Sequence, residues 1–272
     1  PIVVPPGPAG HQPELALVYA SGTGRGAAGW LGFGWSLAGE SRIERETRTA
    51  GPFDFDERGC GVGGAFACYR SDYVLDGQDL ICDSGSCDAC TASAPCRYRT
   101  QSDDGRIIEF LGEASGWTIA DRDGRVFVYG AASSGATRLL NPTIPPFQVA
   151  SWLLERSSDV SGNEIRYAYD TSSSENVAYL ARIEYGQGTS GNRSIELVLN
   201  DPVSAPRPDR PVWARAGFRQ QVDRRIVSIE VRAASDEPVT TYRLAYTQDP
   251  DSARSRLASG QRIGAASQTA LP

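Results

Sequence analysis

Six cysteines are the residues best placed to do chemistry in this chain. Cys60, Cys68, Cys82, Cys87, Cys90 and Cys96 fall in one stretch, and no other position carries a thiol. An even count in a segment rich in Gly, Ser and Asp reads as a local disulfide framework whose pairing sequence cannot choose. Covalent closure would hold a segment with little apolar content of its own. A metal site and free thiols are the alternatives. Cys87-x-x-Cys90 has zinc-knuckle spacing, but a zinc site needs a second such pair or a Cys/His pair. Neither is present, and the single histidine, His11, lies far away. No βαβ pattern surrounds the motif, which argues against a thioredoxin-like role.

The glycines near the N-terminus raise a second chemistry. Gly22-x-Gly24-x-Gly26 and Gly29-x-x-Gly32-x-Gly34 have the look of a phosphate cradle. A P-loop needs Gly-Lys-Ser/Thr, and the chain has no lysine: all 27 basic residues are arginine. A dinucleotide fingerprint needs a helix opening at the glycines, and Trp30-Leu31-Gly32-Phe33-Gly34-Trp35 does not read as one. Tight turns and close backbone approach, with aromatics over the glycines, are the expected use. Asp54-x-Asp56 with Gly59 falls short of a calcium loop, and Asp121-x-Asp123-Gly124 is better read as a hairpin turn. His11 has no nucleophile motif beside it and no Gly-x-Ser-x-Gly elbow occurs. Glu44 and Glu46 sit on a strand pattern and read as a solvated face. Trp30, Trp35, Trp117, Trp152 and Trp213 could line a sugar groove, but their apolar strand context favours packing. No catalytic, cofactor-binding or metal residues are therefore assigned.

The elements that hold these residues read as strands. Glycine and proline, at 29 and 17 residues, suit short strands joined by tight turns. Leu15–Tyr19, 35–39, 41–45, 106–110, 117–120, 126–129, 151–156, 164–169, 179–185, 194–199, 225–231 and 239–246 alternate apolar with Arg, Glu or Thr. That alternation means one wet and one buried face. Asp76-Gly77 and Asp123-Gly124 are hairpin turns. The rest of 51–100 and the Ser/Gly/Pro-rich 131–150 read as connections, and the proline-rich 201–211 as the end of a sheet region. No sustained 3.6-residue stripe appears, so helix is sparse. The expected fold is all-β: serial antiparallel hairpins in a large twisted sheet. Its exposed edges would need continuation, with the last strand as a joint to further sheet beyond Pro272.

A net charge of −6 speaks against nucleic acid. No run of apolar residues is long enough to span a bilayer, and no signal peptide is visible. The absence of methionine predicts that these ends are not the gene's ends.

The opening carries a resemblance. Pro5-Pro6-Gly7-x-x-Gly10, Pro13-Glu14-Leu15, Tyr19, Ser21-Gly22-x-Gly24-x-Gly26 and Gly32-x-Gly34-Trp35-Ser36-Leu37 resemble the N-terminal domain of the SpvB family. The B components of insecticidal toxin complexes carry the same domain. Leu75–Leu80, Asp123-Gly124, Tyr129-Gly130 and Trp152-Leu153-Leu154 extend the resemblance. Asp159-x-x-Gly162-Asn163-x-Ile165-x-Tyr167-x-Tyr169 is also similar to the tyrosine–aspartate repeats of Rhs proteins. Gly22, Gly24, Gly26, Gly32, Gly34 and Trp35 are then structural signature residues.

The resemblance implies one domain over 1–272, with a cysteine-rich insert at about 60–96 that departs from the family pattern. It implies part of a hollow β-sheet cocoon in a secreted bacterial toxin, without catalytic residues or cofactor. Implied partners are the rest of the same polypeptide, a toxin cargo subunit and a pore-forming subunit. The alternative function is an extracellular carbohydrate- or protein-binding β domain.

Overall fold

The structure, a computed structural model, describes residues 1–21, 29–46, 73–83, 87, 90–142, 149–171, 175–186, 192–214 and 216–264. Strands dominate them, with one short 3₁₀ turn at Pro8–Gly10. In chain order the strands begin with β1 (Ala16–Tyr19), β2 (Trp35–Ala38), β3 (Arg42–Arg45), β4 (Tyr73–Leu75), β5 (Gln78–Cys82) and β6 (Cys96–Thr100). Next come β7 (Ile107–Phe110), β8 (Trp117–Ala120), β9 (Val126–Tyr129), β10 (Arg138–Leu140), β11 (Val149–Ser158) and β12 (Glu164–Asp170). The last are β13 (Tyr179–Tyr185), β14 (Arg193–Leu199), β15 (Val212–Trp213), β16 (Gln220–Gln221), β17 (Ile226–Arg232), β18 (Pro238–Gln248) and β19 (Ser255–Gly264). The all-β expectation holds.

The chain divides into two compact units. The first comprises Pro1–Glu40, Ser161–Trp213 and Gln220–Pro272. Its main sheet runs β12-β13-β14-β17-β18-β19, every described pairing antiparallel. The register puts Ile183 opposite Ile195, Ile195 opposite Val231 and Ile229 opposite Tyr242. One face is therefore continuous hydrocarbon, and the N-terminal residues Ile2, Leu15, Leu31 and Leu37 complete its core. The other face carries Arg182, Glu184, Glu196, Glu230 and Arg232, joined in ion pairs. The proline-rich 201–211 does not end the sheet: β14 pairs directly with β17 across it. β15 and β16 form a separate small ribbon.

The second unit comprises Ser41–Val160 and Ala214–Arg219. Here the expected open sheet is corrected. The order β11-β3-β4-β5-β6-β7-β8-β9 returns to β11, because β9 pairs with the second half of that strand and β3 with the first. The strands close on themselves in a barrel-like arrangement, which removes their edges. Aromatic rings fill it. Tyr73, Tyr98, Phe110, Trp117 and Trp152 lie 4.5–6.0 Å apart between ring centres, from the stacked Phe110–Trp117 pair to the edge-on Trp117–Trp152 pair. The buried Arg45 guanidinium lies 5.4 Å from the Tyr73 ring centre and donates to the Val149 carbonyl at 2.8 Å.

Turn chemistry sets the ribbon directions. Asp76 and Gly77 both take positive φ, 49° and 87°, as a two-residue hairpin turn requires. At the β8–β9 turn the Asp121 carboxylate accepts from the amides of Asp123 and Arg125, at 2.9 and 2.8 Å. That local bonding accounts for the Asp-x-Asp-Gly pattern without a metal. β6 and β10 arise where sequence reads loop or connection, and β19 in a stretch to which sequence assigns no element.

Candidate functional site: an edge strand and its buried anchor

β19 is the last strand of the first unit's sheet, with β18 as its strand neighbour among the described residues. It pairs with β18 from Ser255 opposite Gln248 to Gly264 opposite Thr240. Arg256 and Ala258–Gln261 are exposed. A strand of this length at a sheet edge is a template for another strand. Its composition is polar and small, which is why sequence alternation does not find it.

The start of this strand is anchored by a buried charge pair. Arg207 and Asp209 have side-chain exposures of 0 and 6%. Arg207 donates through Nε to Asp209 Oδ1 at 2.5 Å, through Nη2 to Oδ2 at 3.1 Å and through Nη1 to the Gly29 carbonyl at 2.8 Å. Asp209 also accepts from the Ser255 amide and hydroxyl, both at 2.8 Å. Burial alone would raise the Asp209 pKa. The Arg207 guanidinium and the two Ser255 donors outweigh it and hold the carboxyl down at about 2. Arg225 adds a bond from Nη1 to Ser255 Oγ at 3.1 Å, with its guanidinium 4.5 Å from the Tyr246 ring centre.

One signature glycine meets this anchor and another packs under an aromatic ring. A Cβ on Gly32, whose φ is +86°, would lie 2.8 Å from the Ser255 carbonyl oxygen. That oxygen accepts from the Phe33 amide at 2.8 Å. At Gly34, φ +78°, a Cβ would lie 2.6 Å from the Tyr19 ring, which packs on Trp35 at 5.3 Å between centres. At both positions a positive φ and a close neighbour, backbone at Gly32 and a ring at Gly34, suit glycine. Gly22, Gly24 and Gly26 lie outside the described residues.

The cysteines are brought together only in part. Cys82 is bonded to Cys87 and Cys90 to Cys96. The zinc-spaced Cys87 and Cys90 thus belong to different disulfides. Cys60 and Cys68, like Asp54, Asp56 and Gly59, lie outside the described residues. The described part of the insert is not all loop, because Cys82 ends β5 and Cys96 begins β6.

The tryptophans form no common groove. Trp117 and Trp152 are fully buried in the second unit. In the first, Trp30 packs on Tyr179 and Trp213 donates to Gln220. His11 is buried and Glu44 pairs with Arg42. The Arg207–Asp209 anchor went unnoticed in sequence. Its one signal was the Pro206-Arg207-Pro208-Asp209 run, where proline restricts the backbone on either side of the arginine.

The model of the family described as Salmonella virulence plasmid 65kDa B protein matches residues 1–200. The chain is 26% identical over 200 residues to Mono(ADP-ribosyl)transferase SpvB of Salmonella typhimurium, and 30% over 215 residues to that of Salmonella enteritidis. These alignments take in 66% of this chain and 33% of each relative, so the chain spans about a third of their length. Its fold is similar to the N-terminal domain of effector protein SpvB from Salmonella typhimurium strain LT2. That match has a TM-score of 0.69 at 20% identity, over 93% of this chain and 94% of that one. It is also similar to part of TcdB2-TccC3, with a TM-score of 0.72 at 19% identity, over 97% of this chain and 15% of that one. A Photorhabdus luminescens Tc holotoxin pore gives a TM-score of 0.68 at 19% identity, over 93% of this chain and 14% of that one. With the family model covering most of its length, the chain belongs to the SpvB family.

Proposed function

We propose that this chain is a non-catalytic wall section of a secreted bacterial toxin shell. In this reading its sheet continues through the β19 edge into further β-structure, of the tyrosine–aspartate-repeat kind, of the same polypeptide. The shell encloses or presents a toxic cargo, and its partners are a cargo subunit and a pore-forming subunit. The whole of 1–272 acts as one such section, with the cysteine-rich segment as its own addition. The site of action is outside the producing cell.

The observation that carries this reading is an asymmetry of coverage. Almost the whole chain has the fold of a small part of TcdB2-TccC3. The sheet agrees with it: one face is buried under its own N-terminal segment, the other is wet, and β19 stands at its edge among the described residues. Of the five tryptophans that a sugar groove in the carbohydrate- or protein-binding alternative could use, Trp117 and Trp152 are buried.

The test is the mass of the native polypeptide from its source, with and without reductant. A product several times larger than 29.2 kDa, continuing into strand-rich repeats, is expected. A secreted product close to that mass would overturn the container reading, because these strands alone cannot enclose a cargo.

A further inference from the structure

We propose that the Cys82–Cys87 and Cys90–Cys96 disulfides form a thiol-sensitive latch on the ring of the second unit. Reduction would free the β5–β6 seam while the first unit's sheet stays folded. Both bonds sit on the connector between those strands: Cys82 is the last residue of β5 and Cys96 the first of β6. Their Cα–Cα distances are 6.2 and 5.3 Å, at sequence separations of 5 and 6. Neither bond ties a strand to its facing strand, since Cys82 faces Tyr98 and Cys96 faces Phe110. Each instead links a strand end covalently to the connector.

The seam is thin without them. β5 meets β6 only at Leu80–Thr100, Ile81–Arg99 and Cys82–Tyr98. The pairings on either side, β4–β5 and β6–β7, are equally short. In the first unit, β18 and β19 pair along nearly their whole lengths. The connector is also seated on the ring. The Asp83 amide donates to the Arg97 carbonyl at 2.8 Å, and Thr91 and Ala94 exchange backbone bonds at 3.1 Å. A Cβ on Gly112 would lie 2.9 Å from the Cys90 carbonyl oxygen, so the connector presses on the β7–β8 turn. Losing the disulfides thus releases more than a dangling loop.

Access favours attack from outside. Cys87 and Cys96 are each 6% exposed, whereas Cys82 and Cys90 are half-buried. Each disulfide therefore joins a partly exposed cysteine to a buried one, and in this proposal an external dithiol meets the sulfur of the partly exposed one. A thiolate of the dithiol attacks that sulfur, forming a mixed disulfide and expelling the partner cysteine as thiolate. The second thiol of the reagent then closes its own cyclic disulfide and releases the first cysteine. Two electrons and two protons pass from reagent to protein at each bond. Opening a closed loop of this size shifts the opening equilibrium by roughly 30-fold per disulfide. The biological meaning rests on the shell reading: the bonds persist in oxidising surroundings and yield in a thiol-rich cytosol.

The test is hydrogen exchange on the 272-residue chain before and after treatment with dithiothreitol, with alkylation and mass spectrometry counting the reduced pairs. The expected result is faster exchange at β5 and β6 amides by roughly 30-fold or more per disulfide. Ile229, Val231 and Tyr242 keep their rates. Cys82→Ser/Cys87→Ser and Cys90→Ser/Cys96→Ser each give part of the effect without reductant, leaving Cys60 and Cys68 in place. If a variant does not fold, reduction and alkylation of the folded parent chain gives the same readout. An unchanged seam after complete reduction, or equal loosening of both units, overturns the latch. A native polypeptide of small mass would sink the shell reading and leave the latch result standing.

Discussion

Replacing Asp209 by alanine separates a buried anchor from a decorative ion pair. Arg207 has no exposed side-chain surface, and the Asp209 carboxylate meets it at 2.5 and 3.1 Å. Removing that carboxylate breaks a buried ion pair from one side, which costs about 3–5 kcal/mol. The Ser255 amide and hydroxyl lose their acceptor as well, so the start of β19 loosens with it. Urea unfolding followed by tryptophan fluorescence reads the loss, and hydrogen exchange at β17 and β18 assigns it to the first unit. The double variant Arg207→Met/Asp209→Leu is the control. It removes both charges and is expected to recover most of the loss, because hydrophobic replacement of a buried pair is often neutral. A single variant within about 1 kcal/mol of the parent would refute the reasoning. So would a double variant as unstable as the single, since the cost would then lie in packing and not in the broken ion pair.

The same carboxylate sets an acid limit. Its folded pKa of about 2 lies below the ordinary 3.8, so the unfolded chain binds its proton first as pH falls. The stabilisation is complete above about pH 4 and fades as pH drops toward 2, amounting to about 2 kcal/mol. Asp209→Asn, compared with the parent from pH 5 to 2, is expected to flatten that part of the profile. An equally steep profile in the variant would reassign the effect to other carboxylates.

Further outcomes follow from named contacts. Gly32→Ala adds a Cβ 2.8 Å from the Ser255 carbonyl at a φ of +86°, and is expected to destabilise the first unit by roughly 1–3 kcal/mol in urea. Gly116→Ala, whose Cβ would fall 1.9 Å from the Tyr129 carbonyl, is expected to lower the second unit's stability by more than about 2 kcal/mol while first-unit exchange stays unchanged. Trp117→Ala removes a ring that touches Tyr73, Tyr98, Phe110 and Trp152. It is expected to cost about 3–5 kcal/mol, read by the near-ultraviolet circular dichroism of the aromatic cluster.

Local turn chemistry made much of the fold legible. Asp76-Gly77 and the Asp121–Gly124 turn each specify a hairpin, because few residues accept the backbone they need. Alternation located most of the remaining strands, since one wet face leaves a period of two in the residues. Ring closure was not legible. It depends on β9 finding the second half of β11, a pairing across a long loop that no local residue dictates. β19 escaped for the opposite reason: its exposed, small residues carry no apolar period. β6 was hidden because its first residue is a cysteine of the insert, and the surrounding Ser, Asp and Ala read as loop.

The carboxylates show where sequence reading stops. A strand returns each side chain to the same face after two residues. Arg182 with Glu184 and Glu230 with Arg232 accordingly pair at 2.8 and 2.6 Å on strands, as spacing alone anticipates. Such pairs occupy acids that might otherwise look available for catalysis, and their exposure makes each worth little. Arg207 and Asp209 share that spacing, yet they are buried, and the difference comes from outside the pair. Pro206 and Pro208 restrict the backbone around the arginine, Gly29 supplies a carbonyl, and Ser255 supplies two donors from the edge strand. No window of sequence contains all of these. The spacing therefore predicts the contact and leaves its weight to the fold, which turns one of several similar ion pairs into the anchor of the strand proposed to join this domain to the next.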